Sequence, residues 1–225
     1  LRLLQHNYFR SGLMSNEIDS TRQYAERLQK SMHKLLKSIG SVPVGTDGNF
    51  PFGWRKAAKG RTVWRLLEEI ISQNLEQQAE KIGLKDFAPA PSEVGVYDFS
   101  FSFSDSPTIY VNIKSSVVGG RTNKDDISKA PALYEFMASD SNCILLVATI
   151  EIIFSVDPMR IDFPNCYVVP VNWLPDVYVN PSNNGNLQSS KYKNIDTATP
   201  RTRMEFLSVL HDEIEVAREK RKLKQ

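Results

Sequence analysis

The chain has little cysteine, little histidine and almost no net charge. Only 2 cysteines occur among 225 residues, and Cys143 and Cys166 lie too far apart for a C-x-x-C redox or zinc motif. Both fall in apolar, strand-like runs, so buried thiols in a reducing, cytoplasmic compartment are expected. The histidines, His6, His33 and His211, are scattered without zinc-ligand spacing and make no histidine-based nuclease centre. With 28 basic and 26 acidic residues the formal charge is +2. That balance neither demands nor excludes nucleic acid, so the placement of charge must decide. No run approaches the ~20 apolar residues of a membrane span, and no membrane partner is expected. Leu1-Arg2-Leu3-Leu4 leads into polar residues, unlike a signal peptide, and a start without Met is expected to reflect a trimmed terminus. A phosphate-cradling P-loop is missing, so no nucleotide cofactor is expected. The Gly-x-Ser-x-Gly elbow of serine hydrolases is missing too. There is no internal repeat.

What is present suits one domain: 41% of residues are hydrophobic, enough for one sizeable core. We read residues 1–225 as a single unit, with a helical and loop region over 1–60, a core over 61–173, and a long loop plus C-terminal helix over 174–225. Tyr24, Leu28, Met32, Leu35 and Leu36 recur at helical spacing over residues 20–36. Val63, Leu66, Leu67, Ile70, Ile71 and Leu75 form a second stripe over residues 62–79, with Thr62 placed to cap it. A short helix is expected over 131–138, where Pro131 suits a first turn. Residues 142–150 and 166–173 are apolar strands, the second demoted toward an edge by Pro170. Residues 38–53 and the Asn-, Ser- and Pro-rich residues 176–200 read as loops, before a last helix over 201–224.

The most informative segment lies between the second helix and the third. Residues 95–103 alternate aromatic and small polar side chains, as a half-buried strand does. Asp105-Ser106-Pro107 supplies a turn. Residues 108–115 resume the alternation, with Ile109, Val111 and Ile113 on one face and Tyr110, Asn112 and Lys114 on the other. Asn112 and Lys114 therefore stand ~6.6 Å apart along one strand, with Asp98 on a neighbour ~4.8 Å away. The same pattern also fits an amphipathic hairpin whose polar face simply meets water.

Asp98, followed by Asn112-Ile113-Lys114, resembles the PD-(D/E)xK signature of a nuclease superfamily that includes type II restriction endonucleases. The order helix, hairpin, lysine-bearing strand, helix, strand over residues 61–150 resembles the core of that family. Residues 199–206, ahead of the last helix, resemble the tail of one restriction enzyme. The resemblance implies an α/β fold with a restriction-endonuclease-like core, a central mixed β-sheet flanked by α-helices. It implies a Mg2+ ion bound by Asp98, by Asn112 and by the backbone carbonyl of Ile113, with Lys114 holding or deprotonating the attacking water. Two departures stand out. Tyr97 replaces a loosely kept proline, and Asn112 replaces an acid, which weakens metal binding. Three accounts of Asn112 stay open: another carboxylate compensates, activity has been lost, or the residue is an acid-to-Asn variant. Family members often donate a glutamate from the helix before the hairpin, and Glu68 lies nearer the apolar stripe than Glu69.

Candidate DNA contacts are Arg55, Lys56, Lys59 and Arg61 before the second helix, and Arg121 and Lys124 after the lysine strand. Asn183, Asn184 and Lys191 in the long loop join them, alongside Asn186, Gln188 and Lys193, because amides pair with adenine edges. Asp125 and Asp126 partly cancel the charge of Arg121 and Lys124, and the basic residues 218–224 read as a solvated helix end. The resemblance implies a prokaryotic, cytoplasmic, Mg-dependent endonuclease of restriction-modification type that cuts double-stranded DNA at a specific sequence. It implies a homodimer, with the first and last helices as candidate surfaces. A non-catalytic DNA-binding protein on an inactivated nuclease core and a structure-specific repair nuclease are the alternatives.

Overall fold

The computed structural model describes residues 2–46, 48–49, 51–54, 62–92, 95–120, 124–156, 158–182, 185–189 and 193–223. Helix α1 (Arg2–Ile39) opens the chain and is about twice as long as its periodic stripe indicates. Ala25, Leu28, Met32, Leu35 and Leu36 are buried at three- and four-residue intervals, the spacing that docks one face of a helix. The helix stops at Gly40, whose φ of +69° and 3.0 Å bond from its N–H to the Leu36 carbonyl make a left-handed cap. Strand β1 (Val42–Gly45), helix α2 (Thr62–Gln78), strand β2 (Lys85–Pro89) and the hairpin β3 (Phe99–Ser102) and β4 (Ile109–Val117) follow. Then come β5 (Asp125–Lys129), α3 (Ala130–Ser139), β6 (Ile144–Val156), β7 (Met159–Asp162), β8 (Cys166–Pro170), β9 (Tyr178–Asn180), β10 (Asn186–Ser189) and α4 (Arg203–Lys222).

The main sheet runs β1-β7-β6-β4-β3-β2, with β8 also paired to β6. Strands β4 and β6 are parallel, from Ile109 opposite Ile144 to Val117 opposite Ile152. A parallel pair needs a crossover, and β5 with α3 provides it. The other pairings of this sheet are antiparallel. Strand β6 is buried without a break over residues 145–150, as a central strand clad on both faces must be. Among the described residues strand β8 pairs only with β6, and Pro170 ends it, where a missing N–H costs no ladder bond. Its outer side is covered by α1: Val168 N–H donates to Gln29 Oε1 at 3.0 Å and Cys166 N–H to His33 Nε2 at 3.2 Å.

Helices α1 and α2 pack on one face over Phe99, Phe101, Ile109, Val111 and Leu146. Helices α3 and α4 pack on the other over Leu145, Val147 and Leu187. The fold is thus a mixed α/β sheet flanked by helices. Each fully buried aliphatic or aromatic side chain contributes roughly 1.5–3 kcal/mol through removal of apolar surface from water. Helix α4 begins at Thr202, where a capping box pairs Thr202 N–H with Glu205 Oε2 at 2.8 Å and Glu205 N–H with Thr202 Oγ1 at 3.3 Å. Lys220, Arg221 and Lys222 in its last turn complement the helix dipole. No described helix is long and apolar enough to cross a membrane. Cys143 and Cys166 are free and buried, and burial pushes both thiols up to about 12.

The long loop expected after residue 174 is corrected. Strands β9 and β10 lie within it and join β5 in a second, antiparallel sheet of order β5-β10-β9. Their inward residues are only Val179, Leu187 and Ser189, too few to stand out as alternation among so many Asn and Ser. Strands β1, β2 and β5 were hidden in the same way, each having at most two large aliphatic or aromatic residues.

Candidate active site

The hairpin register is regular from Phe99 opposite Val111 to Phe101 opposite Ile109. Asp98 is the residue at which the ladder ends, and its backbone is anchored on two sides. Its N–H donates to the Val111 carbonyl at 2.8 Å, and its carbonyl accepts from Ala90 N–H at 2.8 Å. The side chain then takes over the ladder, Oδ2 accepting from Ile113 N–H at 2.5 Å. A charged acceptor on a backbone donor is among the stronger hydrogen bonds, and here it fixes the rotamer.

Asp98 lines a cleft of about 860 Å³ with Glu68, Arg65, Trp64, Phe87 and Ile113. Helix α2 brings Glu68 there because Leu67 and Ile71 bury its neighbouring face. Asp98 keeps solvent contact along the cleft although protein crowds it, and burial raises its carboxyl above the usual range. The Ile113 N–H and the Lys114 charge pull the other way. Glu68 is also raised, first by burial and then by the Asp98 charge, while Arg65 and Lys114 oppose the shift. Lys114 is half-buried and lowered by burial, against the attraction of Asp98, Glu68, Asp125 and Asp126 in that order. Among the described residues β3 pairs with β4 only as far as Val111, and Lys114 lies on the strand face of Asn112 rather than in the cleft lining, its charge nevertheless acting on both cleft acids.

Asp98, Glu68 and Lys114 are therefore drawn into one electrostatic group, but Asn112 stands apart from it. Asn112 is buried, does not line the cleft, and shares its strand face with Tyr110. Its Nδ2 donates to the Val96 carbonyl at 3.1 Å and to the Ile127 carbonyl at 3.2 Å, which leaves Oδ1 buried with no hydrogen-bond partner. Flipping the amide would set its oxygen against two carbonyl oxygens, so the orientation follows from the network. Glu69 also borders the cleft, and its carboxylate is held by Gln73 Nε2 at 2.7 Å.

Lys124 lies over the Tyr178 ring at 4.3 Å from its centroid, next to β5. The other expected DNA contacts, Arg55, Lys56, Lys59, Arg61, Arg121, Asn183, Asn184 and Lys191, lie outside the described residues. In the sequence Asp125 and Asp126 stand only as charges offsetting Arg121 and Lys124. In the fold they act on Lys114. Asp126 is gripped by Asn186 Nδ2 at 3.0 Å and Gln188 Nε2 at 2.6 Å, and Gln188 Oε1 accepts from Asn180 Nδ2 at 3.2 Å. Lys193 donates to Ser116, two residues beyond Lys114. The alternation of Asp126, Ile127 and Ser128 was the available signal for β5.

The donor set suits a hard, weakly held cation. Among the described residues no three His, Cys, Asp or Glu side chains gather as a metal cluster. Magnesium, however, is usually bound through one or two carboxylates with water and substrate phosphate completing the shell. Asp98 and Glu68 are the carboxylates of this cleft that could hold such an ion. A scan against protein-family models found no match, and a search of curated proteins found none.

Proposed function

We propose that this chain is a Mg2+-dependent endonuclease of restriction-endonuclease type that hydrolyses double-stranded DNA at a specific sequence. The observation that carries this reading is the pairing of Asp98 and Glu68 at one cleft, with the Lys114 charge close enough to act on both. The order α2, three antiparallel strands, α3 and the parallel strand β6 supports it, being the order in which PD-(D/E)xK nucleases resemble one another.

In this reading Asp98 and Glu68 hold the metal, and Glu68 supplies the negative charge that Asn112 lacks. The ion would contribute charge relief on the scissile phosphate and a more acidic bound water. Lys114 has a different task. Burial eases loss of its proton, against the pull of four nearby carboxylates. In its neutral form it would accept a hydrogen bond from, or take a proton from, the attacking water. Ile113 N–H holds Asp98 in place so that the carboxylate does not have to reorganise. Symmetric cutting of a duplex calls for a homodimer, with α1 and α4 as its surfaces. Val209 and Val216 of α4 remain exposed. The protein would act in a prokaryotic cytoplasm.

Digestion of phage DNA with Mg2+ tests this directly. Discrete fragments from the wild type and none from Lys114→Ala are expected. A smear favours a structure-specific nuclease, and binding without any cutting favours an inactivated core.

A further inference from the structure

Asn112 stands where the resembling family keeps an acid, and its contacts give the amide work that an acid cannot do. Both hydrogens of Nδ2 are used on backbone carbonyls that belong to different parts of the chain, 16 residues before it at Val96 and 15 after it at Ile127. Val96 belongs to the approach to Asp98, and Ile127 is the middle of β5, the edge strand of the second sheet. We propose that Asn112 is a positioning residue, a two-armed amide clip that joins the second sheet and the Asp98 approach to β4 beside Lys114.

Three observations carry this. The two acceptors are carbonyl oxygens, so position 112 must donate twice, and a carboxylate donates nothing. The side chain is buried, so water cannot replace either bond. Asn112 Oδ1 and the hydroxyl of Thr149 are both buried without a partner on the same sheet face, since Thr149 sits opposite Lys114. The protein thus tolerates an orphaned oxygen at 112 to keep the two donations. The consequence is placement. The clip seats β5 so that Asp125 and Asp126 act on Lys114, and with β5 comes the chain of Asp126, Gln188 and Asn180 that links all three strands of the second sheet.

The clip itself is independent of the nuclease reading; only its catalytic consequence rests on it. Amide hydrogen exchange on the full chain provides the test. In Asn112→Ala and Asn112→Asp, the β5 amides should exchange about tenfold faster than in the wild type, as expected for loss of two buried hydrogen bonds, with β7 and β8 unchanged. Asn112→Thr, which keeps one donor, should restore part of the protection and part of any cleavage rate. It carries the comparison if the aspartate variant does not fold. Calorimetric titration with Mg2+ should show no tighter binding in Asn112→Asp. Wild-type exchange in β5 of the alanine and threonine variants would overturn the clip, as would unchanged exchange with tighter Mg2+ binding in the aspartate variant. Absence of DNA cleavage by the wild type sinks the nuclease reading and leaves the exchange result to decide the clip.

Discussion

The backbone N–H of Ile113 donates to the Oδ2 carboxylate oxygen of Asp98 at 2.5 Å, one residue ahead of Lys114. A side chain here completes a ladder that the backbone has left, so the same atom serves the fold and faces the cleft. Burial nevertheless opposes its charge and raises the carboxyl above its ordinary range.

Replacing Asp98 by Asn should therefore separate stability from function. The amide oxygen can still accept from Ile113 N–H, and the charge that the surrounding protein disfavours is gone. Thermal unfolding in EDTA at neutral pH should show a midpoint equal to or above that of the wild type, while Mg2+ binding and cleavage are lost. A clearly lower midpoint would mean that the charge holds the hairpin together.

The acids also set a pH dependence. Asp98 and Glu68 both have carboxyls raised in the folded state, so they bind protons more tightly there than in the unfolded chain. Their contribution to stability is fully present below the unfolded values and disappears as pH rises through the folded ones. As pH rises above the ordinary carboxylate range, the melting temperature of an Asp98→Asn, Glu68→Gln double variant should pull ahead of the wild type. Mg2+ affinity of the wild type should move the opposite way, weakening as pH falls through a range above the ordinary ~4 of carboxylates. A constant gap and a flat affinity would remove the proposed coupling.

Lys114→Met keeps the apolar stem and removes the ammonium. If Lys114 handles the attacking water, cleavage should drop by about 10²–10⁴-fold, the usual contribution of one positioned proton-transfer group. DNA affinity measured with Ca2+ in place of Mg2+ should change far less. Equal losses in binding and cleavage would make Lys114 a phosphate contact instead.

Far from the cleft, Thr202→Ala should cost about 1 kcal/mol by opening the capping box of α4. Denaturant unfolding measures this, and activity per folded molecule should be unchanged.

Much of this architecture can be read from residue order, for reasons that particular elements make plain. Helices α1 and α2 and the β3–β4 hairpin bury one face each, so their periodicity is visible. Asp98, Glu68 and Lys114 were all legible as candidates, since each interrupts or borders such a pattern. Strands β5, β9 and β10 were not, because they cover the sheet with few apolar residues and are joined through Asp126, Gln188 and Asn180, a contact between distant segments. The double donation of Asn112 was equally hidden, because a lone Asn on a strand does not disclose which carbonyls will sit above it.

The helix α1 side chains that occupy the outer N–H groups of β8 have a bearing on self-association. An exposed strand border is a template on which another molecule can add its own strand. With Gln29 and His33 seated there, that border is shut, so two copies of this protein cannot merge their sheets across β8.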